Sequence, residues 1–202
     1  PLAASFRYTE DGQPLAAGDG SWKTLQSIGP YKHYVSDTDT GNVALLTTQE
    51  GPDGPGLLVL RLQVNAGAVE EAELLRTPTP AGHAAYTALF RQAPQAGRSV
   101  PALTREQLVG VANQYFSAVE NNDGKGDYSF LAEPCRRREN GIAVTGNPDS
   151  RQWPFAHPEF FTLGCRAQFE TGVLGFVTRI RDRRYEVVDT ERSQVLSLAV
   201  LD

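Results

Sequence analysis

Glu139, Tyr115, His157 and a run of arginines are the side chains in this sequence whose types and placing could do chemistry. Glu139 opens the turn Glu139-Asn140-Gly141; buried beside Tyr115 and Trp153, its carboxyl would be pushed up toward a useful general base. His157 sits between Ala156 and Pro158 in a loop with Trp153 and Phe155. That setting suits a lid that carries a titratable ring over a pocket. Arg179 and Arg181, continued by Arg183, fall on one face if the strand alternation holds, and such a row could bind a carboxylate or an enolate oxygen.

Each has a plainer reading. Glu10 holds the matching place in Glu10-Asp11-Gly12, and a residue present in both stretches more often serves a shared turn than a reaction. The arginine row also reads as a solvated face paired with Asp182, Glu186, Asp189 or Glu191, although the first stretch has Ile28, Pro30 and Tyr31 there instead. Tyr115 is core by default, with its hydroxyl meeting backbone or pointing into a cavity. The loop of Trp153, Phe155 and His157 reads equally as packed aromatics. Asp37-x-Asp39 and Asn121-x-Asp123 resemble calcium loops, but neither completes the twelve-residue pattern, and turn formation is the ordinary reading. No glycine-rich nucleotide loop, Gly-x-Ser-x-Gly or His-Glu-x-x-His pattern is present, and no metal site or cofactor is expected.

The element that must position Tyr115 is a helix over 104–120. Thr104 and Gln107 form a capping box with Leu103 and Leu108 as its staple. Leu108, Val111, Ala112, Tyr115 and Val119 then recur at helical spacing, and Asn121 to Gly126 ends the helix. Earlier in the chain, residues 42–49, 57–64 and 68–75 read as an antiparallel meander, with Leu58, Leu60, Leu62 and Val64 on one face and Arg61 and Gln63 on the other. Residues 1–41 read as short extended pieces between turns. A short helix is expected over 84–90, a second over 159–170, an alternating strand over 173–181 and a buried strand over 195–201.

The chain has 202 residues, 40% of them hydrophobic, and a net charge of -5. It can bury a core, and it lacks the basic footprint that nucleic acid requires. No apolar run is long enough to span a bilayer, so no membrane partner is expected. Cys135 and Cys165 are too few for a zinc site without histidines at ligand spacing. They are expected to form one disulfide, as in secreted or periplasmic proteins; two buried thiols in a reducing compartment is the alternative.

The two halves are self-similar. Arg7-Tyr8-Thr9-Glu10-Asp11-Gly12 parallels Arg136-Arg137-Arg138-Glu139-Asn140-Gly141, and residues 35–43 parallel 187–195 in the same order. A tandem duplication follows, with 1–76 a partial repeat made mainly of strands, 77–102 a linker with a short helix, and 103–202 a second repeat of helices then strands. The copies are cut differently, so the chain reads as clipped at both ends: either the natural polypeptide is longer, or the two partial copies complete one another.

This order, an amphipathic helix, a Glu-Asn-Gly turn, another helix and long strands, resembles the nuclear transport factor 2-like superfamily, which includes ketosteroid isomerase and scytalone dehydratase. Glu139-Asn140-Gly141, Cys165, the run from Thr178 to Tyr185 and Val187-Val188-Asp189 are similar to an exported tandem-repeat branch of it whose function is undefined. The resemblance implies an α+β fold, a cone-like curved antiparallel sheet wrapped around helices, leaving an apolar pocket where a carboxylate or histidine acts as base beside tyrosine, aspartate or arginine donors.

The expected function is an exported pocket protein for a small, partly apolar ligand. Cofactor-independent lyase, dehydratase or isomerase chemistry would use Glu139, Tyr115 and His157, with Arg179, Arg181 and Trp153 in binding. The alternative is a non-catalytic ligand-binding or protein-interaction module, forming a homodimer or a pseudo-dimer of its two repeats. A third reading, oligosaccharide or aromatic-polymer binding, rests on Trp153 and Phe155.

Overall fold

The computed structural model describes residues 1–90, 102–150 and 157–202. The fold is α+β, and the chain divides into two units, residues 1–102 with 187–196, and residues 103–186 with 197–202.

In the first unit the expected meander forms as β4 (Asn42–Gly51), β5 (Gly54–Asn65) and β6 (Ala68–Pro78). Leu58 and Leu60 turn to one face with Ala72 and Leu74, while Arg61 turns to the other and ion-pairs with Glu71 and Glu73. One face is therefore apolar and the other carries a buried charge network. The stretch before the meander departs from expectation. Its pieces are long strands, β1 (Leu2–Glu10) and β3 (Ser27–Asp37), followed in β1's case by the short β2 (Gln13–Leu15). β3 pairs antiparallel with β4, and β1 lies parallel to β6 with Tyr8 opposite Ala72. The resulting sheet has the order β2-β1-β6-β5-β4-β3. One helical turn, α1 (Ser21–Thr24), links β2 to β3. After β6, Thr79 caps α2 (Pro80–Phe90) by accepting the amide of Gly82, which starts this helix earlier than its apolar residues suggest.

Residues 187–196 belong to this unit, with Val187 and Leu196 packing on Val35 and Ala44. Two buried aspartates fasten them. Asp37 accepts the amides of Thr40 and Val188, while Asp189 accepts the amides of Arg192 and Ser36 and pairs with the Arg192 guanidinium. Each carboxylate thus caps its own turn and holds the other. Burial would raise Asp189, but the donors from Arg192 and Ser36 outweigh it and hold its carboxyl below the usual range. A depressed value means that the stabilisation is complete above the unfolded value near about pH 3.9 and is lost as the pH falls through the folded one. Asp189→Asn is expected to cost about 1–3 kcal/mol at neutral pH and to flatten the acid limb of stability below about pH 4, read by urea unfolding from neutral pH downward.

The second unit opens with α3 (Arg105–Val119), where both bonds of the Thr104–Gln107 capping box are formed. Val119, Tyr128, Leu131, Cys165, Phe169, Leu174, Val177 and Ile180 make its core, with Tyr115 and Phe116 of α3 packed against them. A small hairpin, β7 (Arg138–Glu139) and β8 (Ile142–Ala143), turns at Asn140 and Gly141 with φ of 47° and 85°. Asp11 and Gly12 of the first unit turn with nearly the same angles, 49° and 77°. Such two-residue turns need positive φ at both positions, which Asn, Asp and Gly tolerate best.

The single helix expected over 159–170 is instead a 3-10 turn (Pro158–Thr162) and α4 (Cys165–Glu170), interrupted at Leu163 and Gly164. The strand expected from 173 begins only at Ile180, because Gly172 and Gly175 lie in turns. β9 (Ile180–Asp189) and β10 (Gln194–Leu201) pair with each other, and β10 is part-buried with Val200 and Leu201 exposed, not fully buried. No helix among the described residues is long and apolar enough to cross a membrane.

Candidate functional site

The β1, β5 and β6 residues that face one way on the first unit's sheet leave a cavity of about 300 Å³. Phe6 and Tyr8 come from β1, Leu60 and Leu62 from β5, and Ala72 and Leu74 from β6; Trp22 and Leu25 come from α1 and its end. The surface that lines it is apolar throughout. Trp22 stands edge-on to both Phe6 and Tyr8, at 6.0 and 5.7 Å, and remains 51% exposed.

Glu10 sets this geometry. Its carboxylate is 8% exposed and accepts the Ser21 hydroxyl at 2.7 Å, the Ser21 amide at 2.8 Å and the Tyr8 hydroxyl at 2.8 Å. Arg76 Nε lies 2.9 Å from it in an ion pair. Burial raises the Glu10 carboxyl, yet these donors and Arg76 together hold it below the usual carboxylate range. Burial and the bond to Glu10 push the Tyr8 hydroxyl above the usual phenol range. Two bonds to Ser21 hold α1, and so Trp22, against the sheet. Gly20 is needed beside them: its φ is 58°, and a Cβ there would stand 2.4 Å from Glu10 Oε2.

In the second unit a buried guanidinium plays the matching structural part. Arg137 donates to the Tyr115 hydroxyl at 3.2 Å, to Gln168 Oε1 at 2.7 Å and to Glu139 Oε1 at 2.5 Å, with its plane over the Phe169 ring. Gln168 is itself fully buried, and its amide donates to the carbonyls of Val144 and Phe160. This arrangement can hold an anionic oxygen on a positive centre, but it already does so with Glu139.

Of the residues that sequence singled out, Tyr115 and Glu139 are brought together through Arg137. His157 has an 85% exposed side chain and lies 3.7 Å from Glu159. The alternation that would align the arginines is interrupted at Asp182, whose φ is 54°. Arg181 is ion-paired with Asp182 and Asp202, Arg183 with Glu120, and the Arg179 backbone pairs with Asp202. Cys135 and Cys165 form a disulfide. Trp153 and Phe155 lie outside the described residues. Among the described residues no group of three or more His, Cys, Asp or Glu side chains could hold a metal ion.

Residues 101–202 match the model of a family described as a domain of unknown function, DUF8021. The chain belongs to the DUF8021 family. No curated protein matches the sequence. The DUF8021 match spans Tyr115, Arg137, Glu139, Gln168 and both cysteines, whereas Glu10, Trp22 and the apolar cavity lie before it. Sequence reasoning passed over Arg137 and Glu10's partners. The available signal was the likeness of residues 7–12 to residues 136–141, which aligns Arg137 with Tyr8, the residue that holds Glu10 in the first unit.

Proposed function

We propose that the chain is an exported, non-catalytic binding protein that takes a small, largely apolar molecule in the cavity of its first unit. The observation that carries this reading is a wholly apolar lining beside a carboxylate, Glu10, that is already committed to Tyr8, Ser21 and Arg76. A cavity of this kind offers binding through burial and has no available acid or base. A six-stranded sheet with an apolar pocket on one face supports the cone-fold resemblance. The paired turns at Asp11-Gly12 and Asn140-Gly141, with Glu10 and Glu139 each held by a side chain two residues earlier, support tandem related halves. The Cys135–Cys165 disulfide supports an oxidising destination, periplasmic or secreted.

A second reading, acid-base catalysis by a lyase or isomerase, draws on Tyr115 and Glu139 meeting on the Arg137 guanidinium. One experiment separates the two. With Trp153→Phe leaving Trp22 as the sole tryptophan, titration with an anilinonaphthalene sulfonate probe is expected to change Trp22 emission saturably. Leu60→Glu is expected to weaken that binding at least about tenfold, the equivalent of 1.4 kcal/mol, while Glu139→Gln leaves it unchanged. Binding lost with Glu139→Gln and kept with Leu60→Glu would reverse the assignment.

A further inference from the structure

The cavity's polar neighbours say which part of a ligand it accepts. Tyr8 and Ser21 border it, yet both are buried and their hydroxyls point to Glu10. The Glu10 charge is met by Arg76. A polar group entering the cavity would therefore lose its water without gaining a partner. The two exposed residues of the lining, Leu2 at 47% and Trp22 at 51%, are apolar as well. The charges next to Trp22 cancel: Lys23 pairs with Asp19 on the same turn. No unbalanced charge on that turn is available to select a head group.

Resting on the reading just given, we propose that the ligand is a single-chain amphiphile, bound by its aliphatic tail with its head group left in solvent and unselected. Burial of the tail supplies the affinity, at about 0.8 kcal/mol for each methylene, or roughly fourfold in Kd. Trp22 and Leu2, the exposed residues of the lining, meet the carbons nearest the head group. A second protein segment seated on the same surface would bring its own polar backbone and would not follow methylene count.

The test uses the full chain carrying Trp153→Phe, titrated through Trp22 emission with decanol, decanoate and decyltrimethylammonium below their aggregation concentrations, and with octyl and dodecyl alcohols. The three decyl compounds are expected to agree within about threefold, less than the tenfold that 1.4 kcal/mol of head-group selection would produce. The alcohols are expected to tighten about fourfold per methylene until the cavity is filled. Affinities that differ more than tenfold with head charge would overturn the inference and leave the apolar site standing. Absence of binding by every compound would overturn the site itself. Saturable binding that Leu60→Glu leaves untouched would place the tail elsewhere and overturn both.

Discussion

Glu10→Ala is expected to be the most damaging single substitution in the first unit, costing about 3–5 kcal/mol at neutral pH. The residue gathers two donors from Ser21, one from Tyr8 and the Arg76 guanidinium. Removing it leaves the buried Tyr8 and Ser21 donors without their acceptor and the part-buried Arg76 with only its exposed partner Asp53, and that desolvation penalty exceeds the value of any one bond. Because the Glu10 carboxyl is held below its ordinary range, its contribution is complete above the unfolded value near about pH 4.3. It is lost as the pH falls through the folded value. Urea unfolding read by circular dichroism checks the magnitude, and Trp22 emission read in parallel on the Trp153→Phe background reports whether α1 leaves the sheet first. Glu10→Gln keeps one acceptor and is expected to fall between the two proteins. A loss under about 1 kcal/mol for Glu10→Ala, the size of one ordinary hydrogen bond, would show that water replaces the network.

Opening the Cys135–Cys165 disulfide is expected to cost the second unit about 3–4 kcal/mol. The bond joins residues separated by 30 positions, and chain-entropy loss for a loop of that size in the unfolded state gives roughly this value. The native side argues in the same direction, since Cys165 is buried among Leu131, Phe169 and Val177 in the unit's core. The looped segment holds Arg137, Glu139 and the β7–β8 hairpin, and α4 with Gln168 follows directly from Cys165. The double substitution Cys135→Ser, Cys165→Ser is therefore expected to lower the guanidinium midpoint and to loosen the environment of Tyr115. Equal midpoints for oxidised, reduced and doubly substituted protein would contradict it.

The parts legible from sequence were those whose causes are local. Thr104 and Gln107 lie three residues apart, and their reciprocal bonds need only a helix turn, so α3 begins where its capping box says. β4, β5 and β6 alternate strongly and are joined by short turns, so their pairing follows from neighbouring residues. The length of β1 and β3 escaped because turn-rich segments adjoin them and their partners extend them: β1 finds its place against β6, more than sixty positions away. The strand expected from Val173 failed because apolar alternation there is overruled by turns at Gly172 and Gly175.

For the candidate sites the division is the same. Composition and spacing determined that the chain holds a packed core, an N-capped helix, an antiparallel meander, a pair of Glu-Asx-Gly turns and two cysteines able to join. Which carboxylate is tied off, and by what, was decided only in three dimensions. Glu10 needs Ser21 from α1 and Arg76 from β6, and Arg137 needs Tyr115 from α3 and Gln168 from α4. The apolar cavity likewise takes its walls from β1, α1, β5 and β6. Local geometry is written in residues a few positions apart. Burial, and the partners that make a buried charge tolerable, depend on which distant segments the sheet brings side by side.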